Sequence, residues 1–206
     1  MLSKNKIFIA LAFIFTLIFS STAVPKHSYA ENMHIPDGAS ILNMVDVLNL
    51  VKKGGNGLQE GTHYSGDGQC RGFANKVYNR LFGLQGLYEY TNSNYGARDF
   101  PGSHIVGQLH NFGEGDANAV KNLFWNVKPG AIIQMGRRHR LNSSGNAPAP
   151  HTAIFYGATA SGSGCYFYEA NTDGKNTIMF NFYSWGDLAN RNKGFTIYEP
   201  DNYPSK

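Results

Sequence analysis

The chain predicts an α+β fold, because apolar residues recur at helical spacing in its first half and strand periodicity takes over from Pro129. Two helical runs, Ile41 to Val51 and Phe73 to Phe82, precede that change. Five short runs rich in β-branched and aromatic residues follow it, separated by turn residues. Helices first and consecutive strands after imply N-terminal helices packed on a C-terminal antiparallel β-sheet.

In chain order, Lys4 and Lys6 precede thirteen residues, Ile7 to Phe19, that are apolar apart from Thr16. A polar stretch ending in Ser28-Tyr29-Ala30 follows, the pattern of a secretory signal peptide (residues 1–30) cut after Ala30. The apolar run falls short of the roughly 20 residues of a spanning helix, so no stable membrane insertion is expected after cleavage. No cysteine stands in the polar stretch directly after that run and no hydrophobic tail closes the chain, so the mature protein is expected to be exported and soluble.

Of 18 Lys+Arg and 14 Asp+Glu, the signal segment removes Lys4, Lys6 and Lys26 and no acid, leaving 15 against 14, or +1. That near-neutral balance makes no case for nucleic acid as a partner. Arg137-Arg138-His139-Arg140 is the one basic cluster, read as a solvated loop. The remaining 176 residues suit a single domain acting as a monomer.

Residues 31–55 comprise an unstructured lead-in, 31–39, and a helix capped by Ser40, with Ile41, Leu42, Val45, Leu48 and Leu50-Val51 on its apolar side and Gly54-Gly55 at its end. A polar loop then leads to a second helix from about Gln69 to Phe82. Its buried face is Phe73, Ala74, Val77, Tyr78 and Leu81, with Gly83 as its left-handed stop. Residues 84–115 show no clear period, and Asp116 caps a short helix through Phe124. The expected strands are Ala131–Met135, Thr152–Tyr156, Cys165–Ala170, Thr177–Tyr183 and Phe195–Tyr198.

Cys70 sits where a glycine-rich loop, Tyr64-Ser65-Gly66-Asp67-Gly68, turns into a helix. The unpaired N–H groups and positive dipole end there favour an anion, so a thiol ionises more easily. A nucleophile needs a base. His27 leaves with the signal peptide, His34 lies in the lead-in, His139 in the basic loop, His63 ahead of the cysteine loop, and His104 and His110 in the unread middle. His151 alone opens a clear strand, where alternation puts it on one face with Ala153 and Phe155. In the next strand Glu169 and Asn171 project from one face, and either could accept the imidazole N–H and fix its tautomer. Taken singly, each residue has an ordinary structural reading; together they form an ordered Cys, His, Glu-x-Asn series.

Two cysteines in an exported chain also suggest a Cys70–Cys165 disulfide. Cys165 precedes Glu169 by four residues, about 13 Å along a strand at roughly 3.3 Å per residue. A bridge needs Cα atoms within about 7 Å. If Cys70 meets His151 beside Glu169, the bridge is excluded, and the free thiol is the reading adopted.

The blocks Tyr64…Gly68-Gln69-Cys70…Phe73-Ala74, Pro129-Gly130-Ala131-Ile132-Ile133, His151-Thr152-Ala153-Ile154 and Glu169-Ala170-Asn171 resemble the CHAP family, the cysteine, histidine-dependent amidohydrolases/peptidases. The resemblance covers about residues 56–200, so residues 56–206 read as a CHAP-like catalytic domain. It implies a papain-like fold with Cys70 as nucleophile, His151 as base, Glu169 orienting His151 and Asn171 as a further polar member of the site. Gln69 and Tyr64, by position, are candidates for substrate or oxyanion contact. Two departures are Ala131, where the family usually has Asp, and Pro150, where it has Gly before the histidine; neither removes a catalytic group.

For an exported member the resemblance implies peptidoglycan as substrate, cut at the muramoyl–L-alanine amide or within the peptide, with no metal or other cofactor. Two other readings stand beside it. One is a non-catalytic wall- or glycan-binding module on the same scaffold. The other is a secreted amidase, transferase or toxin acting on a non-wall amide.

Overall fold

The computed structural model of the protein describes residues 33–39, 47, 51, 57–67, 69–86, 101–138, 150–172 and 174–204. The signal-peptide assignment, most of the Ile41–Val51 helix and the end of the basic cluster lie outside the described residues. Val47 and Val51 are helical and buried.

The architecture is α+β. In chain order it comprises α1 (Gln69–Phe82), β1 (Ser103–His110), α2 (Ala117–Phe124), β2 (Ile132–Arg137), β3 (His151–Ala158), β4 (Gly164–Ala170), β5 (Ile178–Ser184), α3 (Trp185–Arg191) and β6 (Asn192–Pro200). The strands form one antiparallel sheet in the order β1-β6-β2-β3-β4-β5. Alternation gives each central strand two apolar faces, so β2, β3, β4 and β6 are buried from both sides. On one face Ile132, Ile154, Tyr156, Tyr168 and Tyr198 pack with Phe73, Ala74, Val77 and Tyr78 of α1. On the other, Ile133, Ala153, Phe155, Phe167 and Phe195 meet Val120 and Phe124 of α2 and Trp185 and Leu188 of α3.

The α1 apolar face is the expected one except that Leu81 is only partly buried. Gly83 closes α1 in the left-handed region, φ 69°, its N–H donating to the Asn79 carbonyl at 2.7 Å. Asp116 caps α2 by accepting from the Ala119 N–H at 3.0 Å.

The lead-in differs from expectation. Met33 forms a bridge with Thr159, the His34 N–H donates to the Ala158 carbonyl at 2.8 Å, and the His34 ring stacks on Trp125 at 3.9 Å. Backbone groups left open beyond the end of β3 hold the segment by this single bridge, and Trp125 packs on His34.

β1 and α3 fall outside the expected elements. β1 is an edge strand whose register shifts between Ile105 and Gly107, and Val106 on it is 40% exposed, so its alternation is broken. α3 follows β5 without a turn residue. Ser184 both ends the strand and caps the helix, accepting from the Asp187 N–H at 3.0 Å.

Candidate active site

Three of the residues singled out in the sequence meet at one end of the sheet, where α1 and β3 begin and β4 ends. His151 is the first residue of β3 and lies opposite Met135 of β2, on the face covered by α2 and α3. Cys70, the second residue of α1, comes from the other face, so the thiol and the imidazole meet around the rim rather than across the sheet. Both are nearly buried, at 4% exposure each.

His151 is held from two sides. Its Nε2 lies 2.7 Å from Oε2 of Glu169, whose side chain is completely buried. Cys70 hydrogen-bonds the same ring. With Nε2 committed to the carboxylate, Nδ1 is the nitrogen that faces the sulfur. Burial alone would pull the imidazole pKa down, but the hydrogen bond with Cys70, the bond to Glu169 and the negative charges of both outweigh it and raise the value to about 9. Reciprocally, burial would push the Glu169 carboxyl up, but His151, Tyr183 and Asn181 together hold it below the ordinary carboxylate value. The arrangement therefore favours an imidazolium held between the Glu169 carboxylate and the Cys70 sulfur.

Glu169 has two further donors, both from β5. Asn181 Nδ2 donates to Oε1 at 2.8 Å and the Tyr183 hydroxyl donates to the same oxygen at 2.6 Å. Neither was singled out from sequence. The signal for them was strand alternation, because Met179 lies opposite Glu169 and residues 181 and 183 share its face.

Asn171 is placed differently from Glu169. β4 ends at Ala170, and Asn171 takes the left-handed conformation, φ 65°, so the alternation that would set the two side by side stops one residue short. Its Nδ2 donates to Gln69 Oε1 at 2.8 Å and its Oδ1 accepts from the Asn176 N–H at 3.1 Å. Asn171 thus ties the residue before Cys70 to the β4–β5 connection, and Glu169 alone takes the imidazole.

Gln69 is exposed and left-handed, φ 48°. Its Oε1 is taken by Asn171, which leaves Nε2 as an amide donor beside Cys70. Tyr64 is buried and meets Phe73 edge-on at 5.6 Å, while burial and the Asp67 charge raise its phenol pKa. A Cβ added to Gly66 would lie 2.3 Å from the Tyr64 hydroxyl, and one on Gly72 would lie 1.6 Å from the Asp67 carbonyl oxygen. Those two glycines let the loop fold back over the first turn of α1, which sets where Cys70 stands. The loop is also tied to the β4–β5 connection, since the Tyr64 N–H donates to the Asn176 carbonyl at 2.8 Å and His63 Nδ1 donates to the Lys175 carbonyl at 2.9 Å.

Cys70 and Cys165 are not joined in a disulfide. Cys165 lies on the face of Glu169, four residues away along β4, and burial, followed by the Glu169 charge, pushes its thiol well above the ordinary value. A thiol held protonated in this way is a poor nucleophile. Among the described residues no helix is long and apolar enough to cross a membrane.

No protein-family model matches the chain, and no curated protein matches it.

Proposed function

We propose that the protein is a cysteine-dependent amide hydrolase of the CHAP type, on a papain-like scaffold, and that its substrate is peptidoglycan. The observation that carries this reading is the position of His151, hydrogen-bonded to Cys70 on one side and 2.7 Å from the buried Glu169 carboxylate on the other. A buried histidine paired to one carboxylate has a structural explanation. The same ring shared with a thiol at a helix N-terminus is the arrangement that activates sulfur for attack.

In the proposed reaction the Cys70 thiolate attacks the carbonyl carbon of the amide, and the carbonyl oxygen takes the negative charge. The Cys70 backbone N–H and Gln69 Nε2 are the donors offered to that oxygen. His151 passes its proton to the leaving amine as the C–N bond breaks, giving a thioacyl-enzyme. His151 then takes a proton from water, which attacks the thioester and releases the acid and the thiolate. Glu169 keeps the ring oriented and its charge balanced throughout.

Peptidoglycan follows from the export expected for residues 1–30 and from the resemblance of the Gln-Cys, His and Glu-x-Asn elements to wall hydrolases. The test is incubation of residues 31–206 with purified cell walls and mass spectrometry of what is released. A muramoyl–L-alanine amidase leaves intact glycan and free peptides, whereas an endopeptidase leaves shortened peptides on the glycan. Fragments of neither kind would overturn the wall assignment.

A further inference from the structure

We propose that Asn181 and Tyr183 of β5 are positioning residues for this site, forming a two-donor clamp that fixes which oxygen of Glu169 faces His151. The proposal rests on the hydrolase reading above and extends it to two residues of the neighbouring strand.

A carboxylate held at one point can rotate about its last torsion and exchange its oxygens. Glu169 cannot do so without cost. Oε2 meets His151 Nε2 at 2.7 Å, while Oε1 accepts from Asn181 Nδ2 at 2.8 Å and from the Tyr183 hydroxyl at 2.6 Å. Turning the group over would break all three contacts in a place where water does not enter, since Glu169 is fully buried. Both donors are neutral, so they stabilise the negative charge without diverting it from the imidazolium, as a cation at the same place would.

The clamp is braced from behind. Tyr183 stands one residue before the Ser184 cap of α3, and Arg191 in the last turn of α3 lies over its ring, 5.7 Å from the centroid. Trp185, at the start of α3, donates from Nε1 to the Gly162 carbonyl at 2.9 Å and holds the helix to the β3–β4 turn. A chain of contacts therefore runs from α3 through Tyr183 and Glu169 to His151 and Cys70. Among the described residues, the other ionisable groups acting on this cluster are Cys165 on β4, whose thiol stays protonated through burial, and Arg137 of β2, which with Arg191 lowers the Tyr183 phenol against the opposing effect of burial and Glu169.

The experiment is the rate of Cys70 alkylation by iodoacetamide as a function of pH, with Cys165→Ala as background and thermal unfolding recorded in parallel. It compares the parent chain with Tyr183→Phe and Asn181→Ala. Tyr183→Phe removes a single oxygen, so it keeps the comparison valid should Asn181→Ala fold poorly. In the parent, reactive thiolate is expected to persist well below the ordinary thiol range. Each variant is expected to move the acid limb of the profile upward, by up to about one pH unit, because a Glu169 carboxylate free to turn holds the imidazolium less well. A parent limb that stays in place in a folded variant, whatever the change in melting temperature, would overturn the clamp and leave the hydrolase reading intact. A parent Cys70 that titrates as an ordinary thiol would overturn both.

Discussion

At the residue scale, the candidate site depends on where three side chains point, and each has a distinct consequence when changed. His151 carries a pKa of about 9 against burial because of Cys70 and Glu169. Glu169→Gln removes the charge that supports it, so the alkaline limb of activity is expected to move from about pH 9 toward neutrality. The rate is expected to fall by roughly a hundredfold or more, the scale of a lost general acid–base contribution. A pH–rate profile of both proteins checks it. Gly72 makes a separate prediction. A Cβ there would press on the Asp67 carbonyl oxygen at 1.6 Å, so Gly72→Ala is expected to destabilise the fold by about 1–3 kcal/mol, read from urea midpoints. The same substitution displaces the loop that leads into Cys70 and is expected to lower activity along with stability. Cys70, His151 and Glu169 were legible in the sequence because helix starts, strand starts and alternation are local features. Asn171 departs from the alternation that would set it beside Glu169, because it takes the left-handed region itself, with no glycine to announce the end of the strand.

At the element scale, α1 and the β3–β4–β5 ladder do most of the positioning. Phe73 is fully buried between Tyr64 and Tyr168, meeting each edge-on, so Phe73→Ala is expected to cost about 3–5 kcal/mol. Phe182 is 46% exposed on the edge strand β5, and Phe182→Ala is expected to change stability by about 0.5 kcal/mol or less. Denaturant unfolding of the two variants side by side tests whether α1 is seated as described. The helix from Gln69 to Phe82, the capped helix after Asp116 and five of the strands could be read from spacing and caps. β1 could not, since its bulge and Gly107 break the period, and neither could α3, which begins directly from a strand with Ser184 serving both. The docking of residues 33–39 depends on open backbone groups near Ala158 and Thr159 and on Trp125, all far away in sequence, so nothing local announced it.

At the scale of the whole molecule, the His151–Glu169 pair links stability to pH. The folded imidazole titrates above its ordinary 6.5, so its contribution is complete below about pH 6.5 and is lost as pH rises through about 9. The folded carboxyl titrates below its ordinary 4.5, so its contribution is present above that value and lost as pH falls through the lowered one. Urea midpoints are therefore expected to be highest between these limits and to decline toward pH 9, and the decline is expected to be shallower in Glu169→Gln. The two-sided sheet puts α1 on one face and the His151–Glu169 pair on the other, which leaves one end of the sheet as the place where thiol and imidazole meet. The most direct test of the proposed chemistry is the release of soluble fragments from purified cell walls by residues 31–206 and by their Cys70→Ala variant under identical conditions. Release by the first and none above background by the second is the expected result. Equal release by both, or none by either, would contradict Cys70 as the attacking atom of a wall amide hydrolase.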